Sequence, residues 1–287
     1  MLSALVENCS RFMGSGENYC EAPVVILGIP LEATVSFRPG TRFGPQQIRR
    51  VSYGLEEYSF YQDRSLEDLF FHDAGDLALP LGNLEESLEL IEKAAAIIFS
   101  DNKKPIFLGG EHLISLPLIK AAQARHPGLT VVHLDAHADL RPEYLGQTHS
   151  HATVMRRVVE VVGPKKLYQF GIRSGTREEF AFARQNTHFW PEKVLGHLSE
   201  IRQIIGPREP VYLSLDIDVV DPAFAPGTGT PEPAGITSEE MLKSINALKG
   251  LNVVAIDLVE VSPPNDVNDI TSILAAKIIR EVLLGLW

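Results

Sequence analysis

The sequence predicts an α/β protein in which a mostly parallel sheet of about eight strands is covered by helices on both faces. Short apolar runs alternate with helix-patterned segments along all 287 residues. The runs are continuously apolar, which is typical of parallel strands buried on both faces. No segment has the composition of a linker. We therefore expect one three-layer αβα domain over residues 1–287, with right-handed crossovers and with residues 1–20 as an N-terminal extension packed on it.

The predicted strands are runs rich in Val, Ile, Leu and Phe that end near Gly, Pro or Asp. In chain order they cover residues 23–30, 68–73, 105–108, 130–135, 167–172, 187–190, 211–218 and 253–260. The segment after the first of them, residues 36–45, is too rich in Gly and Pro for regular structure. It is predicted to be a loop at a strand end.

The predicted helices combine an apolar stripe with signals at their ends. In chain order they cover residues 46–53, 84–98, 113–125, 149–162, 177–185, 192–205, 238–248 and 269–284. Asn83 can cap the second of these, with Glu86 reaching back to it, and Thr237 with Glu240 forms a capping box for the seventh. The stripe of the second helix is Leu84, Leu88, Ile91, Ala95 and Ile98. In the last helix the residues expected to face inward are Ile270, Ile273, Ile278 and Val282.

The composition narrows the range of partners and compartments. The chain is 45% hydrophobic and 22% charged, and its formal net charge is −11. This charge argues against nucleic acid, since phosphate-binding proteins carry a basic stripe, while a small cationic ligand is compatible. Cys9 and Cys20 form no metal or redox spacing. The N-terminal segment lacks a secretory apolar core and no run reaches the ~18 residues of a membrane span, so we expect a cytoplasmic protein.

One stretch concentrates ionisable side chains at the end of a predicted strand. The run that begins at Thr130 ends in Asp135, His137 and Asp139. Side chains two apart on an extended backbone leave on the same side, so these three are expected to converge. Such a group would repel or stay badly desolvated unless a cation neutralised it. A metal site is the simplest explanation.

Three further motifs lie at the ends of other predicted strands. His112 follows the third strand, Asp216 and Asp218 end another, and Glu260 ends the last. Ligands of such sheets bind outside the carboxyl ends of the strands, where these residues would meet. Without Glu260, four carboxylates and two imidazoles carry a formal charge of −4. Two divalent cations would cancel it.

The ligand types indicate both the metal and the reaction. Oxygen-rich coordination favours Mn²⁺, while the imidazoles leave Zn²⁺, Co²⁺ or Ni²⁺ possible. Two metals roughly 3.5–4 Å apart can share one water and lower its pKa, which indicates hydrolysis. A serine hydrolase or a nucleotide enzyme loses support because the chain has no Gly-x-Ser-x-Gly, Walker or Gly-x-Gly-x-x-Gly motif.

Each motif also has a simpler interpretation. A lone Asp-x-Asp at a strand end is more often turn chemistry, and Glu260 alone could be a satisfied buried acid. His149 and His151 could each be a catalytic residue or a solvent-facing loop histidine. The remaining histidines are interpreted as structural or surface residues: His72, His126, His133, His188 and His197. The coincidence of three acidic motifs at three strand ends favours the metal site.

Four segments of the chain form a combined signature: Gly109–His112, Asp135–Asp139, Ser214–Glu232 and the loop Arg38–Pro45. Together they resemble the ureohydrolase (arginase/agmatinase) family, and bacterial agmatinases most of all. The resemblance covers nearly the whole chain and implies an arginase/deacetylase-like fold and a catalytic domain.

The resemblance implies two Mn²⁺ ions per chain. One would be held by His112, Asp135, Asp139 and Asp216. The other would be held by Asp135, His137, Asp216 and Asp218. All six ligands are present.

The resemblance also implies roles for the residues around the metals. Asp139 would orient the attacking hydroxide, and Glu260 would bind the guanidinium, whose planar N–H fork matches paired carboxylate oxygens. His151 matches the histidine that relays a proton to the leaving amine, with His149 as the competing candidate. Thr230 would line the guanidinium pocket.

The implied activity is hydrolysis of agmatine to putrescine and urea, a step of polyamine biosynthesis. The loop Leu140–Thr148 lacks the Asn and Ser pattern with which arginases hold the amino-acid end of arginine, which disfavours arginine. The alternative is a related ureohydrolase acting on guanidinobutyrate, aminopropylagmatine, arginine or guanidine. The resemblance also implies a homo-oligomer, a trimer or hexamer.

Two other classes of protein remain as alternatives. A catalytically silent metal-binding subunit should have lost a ligand or Glu260, and none is missing. A hydrolase of the related deacetylase fold typically holds one zinc with fewer carboxylates. The departures from the family are Glu111, where arginases usually have Asp, and Ala138 and Ala152 in place of the more usual Thr and Gly. Glu111 bears on the tuning of the His112 metal.

Overall fold

The computed structural model describes residues 1–7, 9–191 and 194–287. Its strands are β1 Val6–Glu7, β2 Val24–Ile29, β3 Tyr58–Ser59, β4 Arg64–Ser65, β5 Phe71–Leu77, β6 Lys104–Gly109, β7 Thr130–Leu134, β8 Leu167–Phe170, β9 His188–Trp190, β10 Pro210–Asp216 and β11 Asn252–Val259. Its α-helices are α1 Gly44–Ser52, α2 Leu84–Ser100, α3 Ser115–Arg125, α4 Val154–Val162, α5 Arg177–Asn186, α6 Val194–Ile204, α7 Ser238–Ala247 and α8 Ile270–Gly285.

The central sheet has nine strands in the order β1-β5-β2-β6-β11-β10-β7-β8-β9. All neighbouring strands are parallel except β1, which pairs antiparallel with β5. The prediction of a mostly parallel α/β sheet is confirmed. The ninth strand, Val6–Glu7, is too short to leave a periodic signal in the sequence. The antiparallel pair of β3 and β4 was likewise not predicted.

Two buried apolar clusters, one on each face of the sheet, make this a three-layer αβα structure. One cluster contains Val24 and Ile26 of β2 together with side chains of α1, α6, α7 and α8. The other contains Val25 and Leu27 of the same strand together with side chains of α2, α3, α4 and α5. Successive strand residues thus supply opposite layers, which explains why the strands are continuously apolar.

Several boundaries differ from those predicted. The second predicted strand starts and ends later, as β5, and its last residues pair with β1. β7 ends at Leu134 and β10 at Asp216, so Asp218 lies on a 3₁₀ turn, Ile217–Val219. The predicted start of the sixth helix, residues 192–193, lies outside the described residues.

The capping predictions agree with the structure, but the predicted inward face of the last helix is partly wrong. Asn83 Oδ1 accepts a hydrogen bond from the backbone N–H of Glu86 at 3.2 Å, and Thr237 with Glu240 forms a capping box. In α8, however, Ile270 and Ile273 are 45% and 41% exposed. The core contacts of this helix begin at Leu274. Periodicity shows which face is apolar but not where the neighbouring layer begins.

A buried arginine fastens α1 to β5. Arg49 is fully buried; its Nε and Nη2 donate to the carboxylate of Asp73 at 2.8 and 3.0 Å, and Nη1 donates to Asp76. Burial lowers the pKa of Arg49, but the carboxylate of Asp73 outweighs it and the pKa is raised. The guanidinium therefore stays ionised inside the protein.

None of the helices in the described part of the chain is both long and apolar enough to cross a membrane.

Candidate metal centre

The predicted site residues meet at the carboxyl edge of four adjacent strands, β6, β11, β10 and β7. His112 opens the 3₁₀ turn after β6, Asp135 follows β7, Asp216 is the last residue of β10, and Glu260 follows β11. All four are buried. Since parallel strands end at the same edge, residues distant in sequence become neighbours there.

The imidazole of His112 faces three carboxylates at nearly equal distance. Its Nδ1 lies 3.1 Å from Asp135 Oδ2, 3.2 Å from Asp139 Oδ2 and 3.3 Å from Asp216 Oδ2. This is the first of the two ligand sets implied by the family resemblance. Three carboxylate oxygens therefore lie within 3.3 Å of one imidazole nitrogen.

A second group lies beside the first and shares one residue with it. His137 Nδ1 is 2.9 Å from Asp218 Oδ2 and 3.6 Å from Asp135 Oδ1. Ligand atoms of these three residues all lie within 4.8 Å of one another. Asp135 therefore presents one oxygen to each group, which is the arrangement of a carboxylate between two cations.

The convergence does not arise in the way the sequence suggested. β7 ends at Leu134, so Asp135, His137 and Asp139 do not lie on an extended strand. The backbone turns instead, and Asp139 has a φ of 53°, in the left-handed region that few residues other than Gly adopt. Glu260 has a φ of 64°. Such strain persists where the surrounding structure fixes it, often at functional sites.

The donor set fits a pair of divalent cations. His112 Nδ1 and Asp218 Oδ2 are buried, and although ionisable side chains lie within 3.3 Å of each, neither makes a well-aligned hydrogen bond among the described residues. Leaving buried polar atoms unpaired is costly unless another group satisfies them. Carboxylate oxygens with a minority of imidazole nitrogens are ligands for Mn²⁺ and its neighbours in the first transition row.

The charges of the cluster hold protons on its histidines. Burial lowers the pKa of His137, but the carboxylates of Asp218 and Asp135 outweigh it and raise this pKa to about 12. Burial also opposes protonation of His112, yet the surrounding carboxylates, Asp135 first, raise its pKa well above the ordinary value. Burial and then the charge of Asp218 raise the pKa of Asp216. Divalent cations therefore compete with protons for these side chains.

The family is decided by comparison with known sequences. A sequence model of the arginase family matches residues 22–285. The chain belongs to the arginase family.

Similar proteins and structures include several that act on guanidino compounds. The chain is 50% identical to an agmatinase of Bacillus subtilis over 96% of this chain and 95% of that protein. It is 38% identical to a guanidinobutyrase of Pseudomonas aeruginosa, over 90% of this chain and 84% of that protein. The crystal structure of the agmatine ureohydrolase of Thermoplasma volcanium is 32% identical and covers 98% of this chain and 95% of that one, with a TM-score of 0.87.

In this arginase-family chain, a buried serine and aspartate orient His112. His112 Nε2 lies 3.0 Å from Ser214 Oγ, which donates to Asp257 Oδ1 at 2.8 Å. Because the carboxylate can only accept, the serine oxygen accepts from Nε2–H and leaves Nδ1 free to bind a metal. Sequence reasoning missed Asp257. The feature of the sequence that could have revealed it is a charged residue in the middle of an otherwise apolar strand.

His133 orients Asp135 in a similar way. Its Nε2 is 2.8 Å from Asp135 Oδ2, and Gln169 Nε2 lies 3.2 Å from its Nδ1. An amide N–H can only donate, so Nδ1 accepts and Nε2–H points at the carboxylate. His133 also lies within metal-binding distance of His112 and Asp135. With both of its ring nitrogens occupied, we assign it to positioning rather than to ligation.

A cavity of about 220 Å³ opens onto the cluster. Besides the metal-facing residues, it is lined by His151, Thr230, Glu260 and Arg141. Burial lowers the pKa of His151, although the charge of Asp139 opposes this effect. The cavity thus brings together the candidate proton donor, the candidate guanidinium carboxylate and the ligand cluster.

His149, the competing candidate, lies elsewhere. It is exposed and does not line the cavity. Burial and then the positive charges of Lys120 and Arg157 lower its pKa, opposed by the charges of Glu160 and Glu85, so the charged groups around it belong to helices outside the cavity.

The carboxylate of Glu260 is deeply buried at the cavity wall. Burial raises its pKa to about 8, opposed by the backbone N–H of His112 and aided by the charge of Glu111. A cation placed against this carboxylate lowers its pKa again and is itself held strongly, because water does not screen the pair.

Proposed function

We propose that this chain hydrolyses agmatine to putrescine and urea at a pair of Mn²⁺ ions. The observation that carries the proposal is the shared cavity, in which Glu260 faces the cluster built on His112, Asp135 and Asp216. The 50% identity to an agmatinase over nearly the whole length supports the same substrate.

The proposed ligands combine the two groups of atoms described above with a second contact of Asp216, which the family resemblance implies. One cation takes His112, Asp135, Asp139 and Asp216. The other takes Asp135, His137, Asp216 and Asp218. When bound, the pair supplies a water of lowered pKa as the nucleophile. The oxygen-rich donor set supports manganese.

Glu260 is proposed to hold the guanidinium of the substrate. Its Oε1 accepts from the backbone N–H of His112 at 2.7 Å, which fixes the orientation of the carboxylate. Oε2 lies 3.7 Å from the position that a β-carbon on Gly229 would occupy. A glycine there keeps one side of the carboxylate free for N–H donors of the guanidinium. Thr230 lines the same wall.

Asp139 and His151 are proposed to handle protons. Asp139 lies in the cavity beside His112, where its carboxylate can accept a hydrogen bond from the attacking water and orient it. His151 gives a proton to the departing amine, which is a poor leaving group until it is protonated. His151 lines the cavity whereas His149 does not, and this supports His151 as the donor.

The cavity favours an amine tail over a carboxylate tail. A carboxylate tail binds best against a cation that has no other partner. Among the described residues that line the cavity, one has an Arg or Lys side chain, and it is Arg141. Arg141 Nε lies 3.6 Å from Glu179 Oε2, and its guanidinium stacks over the ring of Tyr144 at 5.0 Å. Since Glu179 offsets this charge, agmatine suits the pocket better than guanidinobutyrate.

A substrate panel tests the proposal. Purified protein loaded with Mn²⁺ is assayed for urea release from agmatine, guanidinobutyrate, aminopropylagmatine, arginine and guanidine. We expect agmatine to give the highest kcat/KM. Preference for another member of the panel would replace agmatine with that substrate, and no urea from any of them would favour a silent subunit.

We propose a cytoplasmic homo-oligomer, a trimer or hexamer, with a role in polyamine biosynthesis. We also propose a single catalytic domain over residues 1–287 with residues 1–20 as an extension. The pairing of β1 with β5 supports the packing of that extension. Light scattering from the purified protein measures the oligomer size.

A further inference from the structure

Two hydroxyl groups hold the imidazole of His151, one at each ring nitrogen. Thr34 Oγ1 lies 3.2 Å from Nδ1, and Ser36 Oγ lies 3.3 Å from Nε2. Both belong to the loop that follows β2. The two contacts differ in character, since Ser36 is exposed at the cavity mouth whereas Thr34 is half-buried behind the ring.

The hydroxyl of Thr34 has one proton, and its neighbours determine where that proton points. Glu111 Oε2 lies 3.2 Å from Thr34 Oγ1 and already accepts from the backbone N–H groups of Ala33 and Thr34, at 3.2 and 2.8 Å. This carboxylate oxygen can only accept, so the hydroxyl proton is directed to it. Placing the proton elsewhere would set two oxygen lone pairs against each other.

With its proton on the Glu111 side, Thr34 Oγ1 offers only lone pairs to His151. The backbone N–H of His151 donates to it at 3.1 Å. The ring Nδ1 at 3.2 Å must also donate for the contact to be a hydrogen bond. Nδ1 therefore carries a hydrogen in the neutral ring, and Nε2 is the nitrogen with the free lone pair.

We propose that Thr34 is a positioning residue for proton transfer, which holds His151 in the Nδ1–H tautomer with Nε2 directed at the cavity. This inference rests on the proposed function. As the C–N bond breaks, its electron pair stays on the amine nitrogen, which takes the proton from Nε2. The ring becomes neutral with its hydrogen still on Nδ1. Thr34 accepts from Nδ1–H before and after the transfer, so neither group has to reorient.

The contact between Ser36 and Nε2 of His151 can be replaced by a contact with the substrate. Ser36 Oγ also accepts from Tyr144 Oη at 3.3 Å, and the Tyr144 ring stands edge-on to His151 with centroids 5.6 Å apart. These three side chains line the cavity. A leaving amine can take the place of Ser36 at Nε2 without disturbing the Thr34 side.

Thr34→Val and Thr34→Ser separate this role from simple packing. Valine keeps the shape but removes the acceptor, so we expect kcat for agmatine to fall about 10- to 100-fold with KM unchanged, less than the ~10²–10⁴-fold typical of losing a general acid. Serine keeps the acceptor and should stay within about threefold of wild type. An equal loss in both variants, or a rise in KM alone, would overturn the inference. Bound manganese is measured in each protein.

A double-mutant cycle shows whether Thr34 acts through His151. In a His151→Ala background, Thr34→Val should cost less than about twofold further, because the group it positions is gone. The matched control is Thr187→Val, which removes a buried hydroxyl that donates to the carbonyl of Ala183 at 3.0 Å. Its effect on kcat should be small. If Thr34→Val lowers kcat by the same factor in the His151→Ala background as in the wild type, the proposal is contradicted.

Neutron diffraction from a deuterium-exchanged, Mn²⁺-loaded crystal at alkaline pH decides the tautomer without any assay. We expect a deuteron on Nδ1 of His151 and one on Thr34 Oγ1 directed at Glu111. A deuteron on Nε2 with none on Nδ1 overturns the inference about Thr34. A wild-type protein that releases no urea from the substrate panel overturns the proposed function instead, so the two failures are distinguishable.

Discussion

The carboxylate of Glu260 accepts a hydrogen bond from the backbone N–H of His112 at 2.7 Å. This bond joins the residue proposed to hold the substrate to a proposed metal ligand, across the neighbouring strands β6 and β11. The spacing between the proposed guanidinium pocket and the proposed metal ligands is therefore set by the register of the sheet rather than by a flexible loop. That rigidity is what an enzyme needs to align a nucleophile with its target.

Glu260→Gln should remove substrate binding while keeping this bond, because glutamine retains an acceptor oxygen for the His112 N–H. We expect kcat/KM for agmatine to fall by about 100-fold or more, since charge-assisted hydrogen bonds to the guanidinium are lost. Bound manganese should not change. The exposed Glu239→Gln is the control. Unchanged kcat/KM in Glu260→Gln would remove this residue from the guanidinium site.

Asp216→Ala and His151→Ala should separate metal binding from proton transfer. Asp216 is proposed to contact both cations, so its loss should abolish manganese retention and activity together. His151→Ala should keep the metals and slow turnover by roughly 10²–10⁴-fold. Elemental analysis of the dialysed proteins and a urea assay measure the two effects. Equal loss of manganese in both variants would contradict the assigned roles.

Ser214→Ala should weaken metal binding although Ser214 is not a proposed ligand. Its hydroxyl holds the His112 ring through Nε2 and passes the hydrogen bond to Asp257. Loss of such a partner typically lowers metal affinity by about 10- to 100-fold, and we expect a decrease in that range for Ser214→Ala. Ser244→Ala removes another buried hydroxyl, which donates to a helix carbonyl at 2.7 Å. A manganese titration giving the same affinity for both variants would exclude the orienting role.

Much of this architecture could be predicted from the chain because parallel strands end at one edge. Residues as distant as His112 and Asp216 could be assigned to one site once each was recognised at a strand end. The local reason was wrong for Asp139, because β7 ends at Leu134 and the turn brings the carboxylate round through a left-handed φ. Periodicity describes regular strands and is silent on such turns.

The supporting residues could not be predicted in the same way. Asp257 lies in the middle of β11 and accepts hydrogen bonds from Tyr212 and Ser214 of β10 and from Ser115 of α3. The role of a single acidic residue in an apolar run cannot be inferred until its hydrogen-bond partners are known. Thr34 is equally ordinary in sequence. Its relation to His151 depends on a contact between residues 117 positions apart.

Arg49→Met should destabilise the fold. Asp73 would be left buried without its cation, and breaking a buried pair in this way typically costs about 3–5 kcal/mol. Arg50→Met is the matched control, because Arg50 is exposed and lies 3.6 Å from Asp269. Exposed pairs contribute about 0–1 kcal/mol. Urea unfolding followed by circular dichroism gives the free energy of unfolding of each variant. Equal decreases in the two variants would show that the buried pair stabilises the fold no more than the exposed pair does.

Metal binding should release protons and strengthen as the pH rises. Without cations, the raised pKa values of His137, about 12, and of His112 keep both rings protonated at neutral pH. Their stabilisation of the metal-free fold is complete below about 6.5 and disappears as the pH rises through the folded values. Each ring must lose its proton to bind a metal, and the raised pKa of Asp216 adds a third group that can carry one. We therefore expect at least about two protons released per chain at pH 7.5. Calorimetry in two buffers of different ionisation enthalpy measures this number, and an affinity that increases on acidification would refute the ligand assignment.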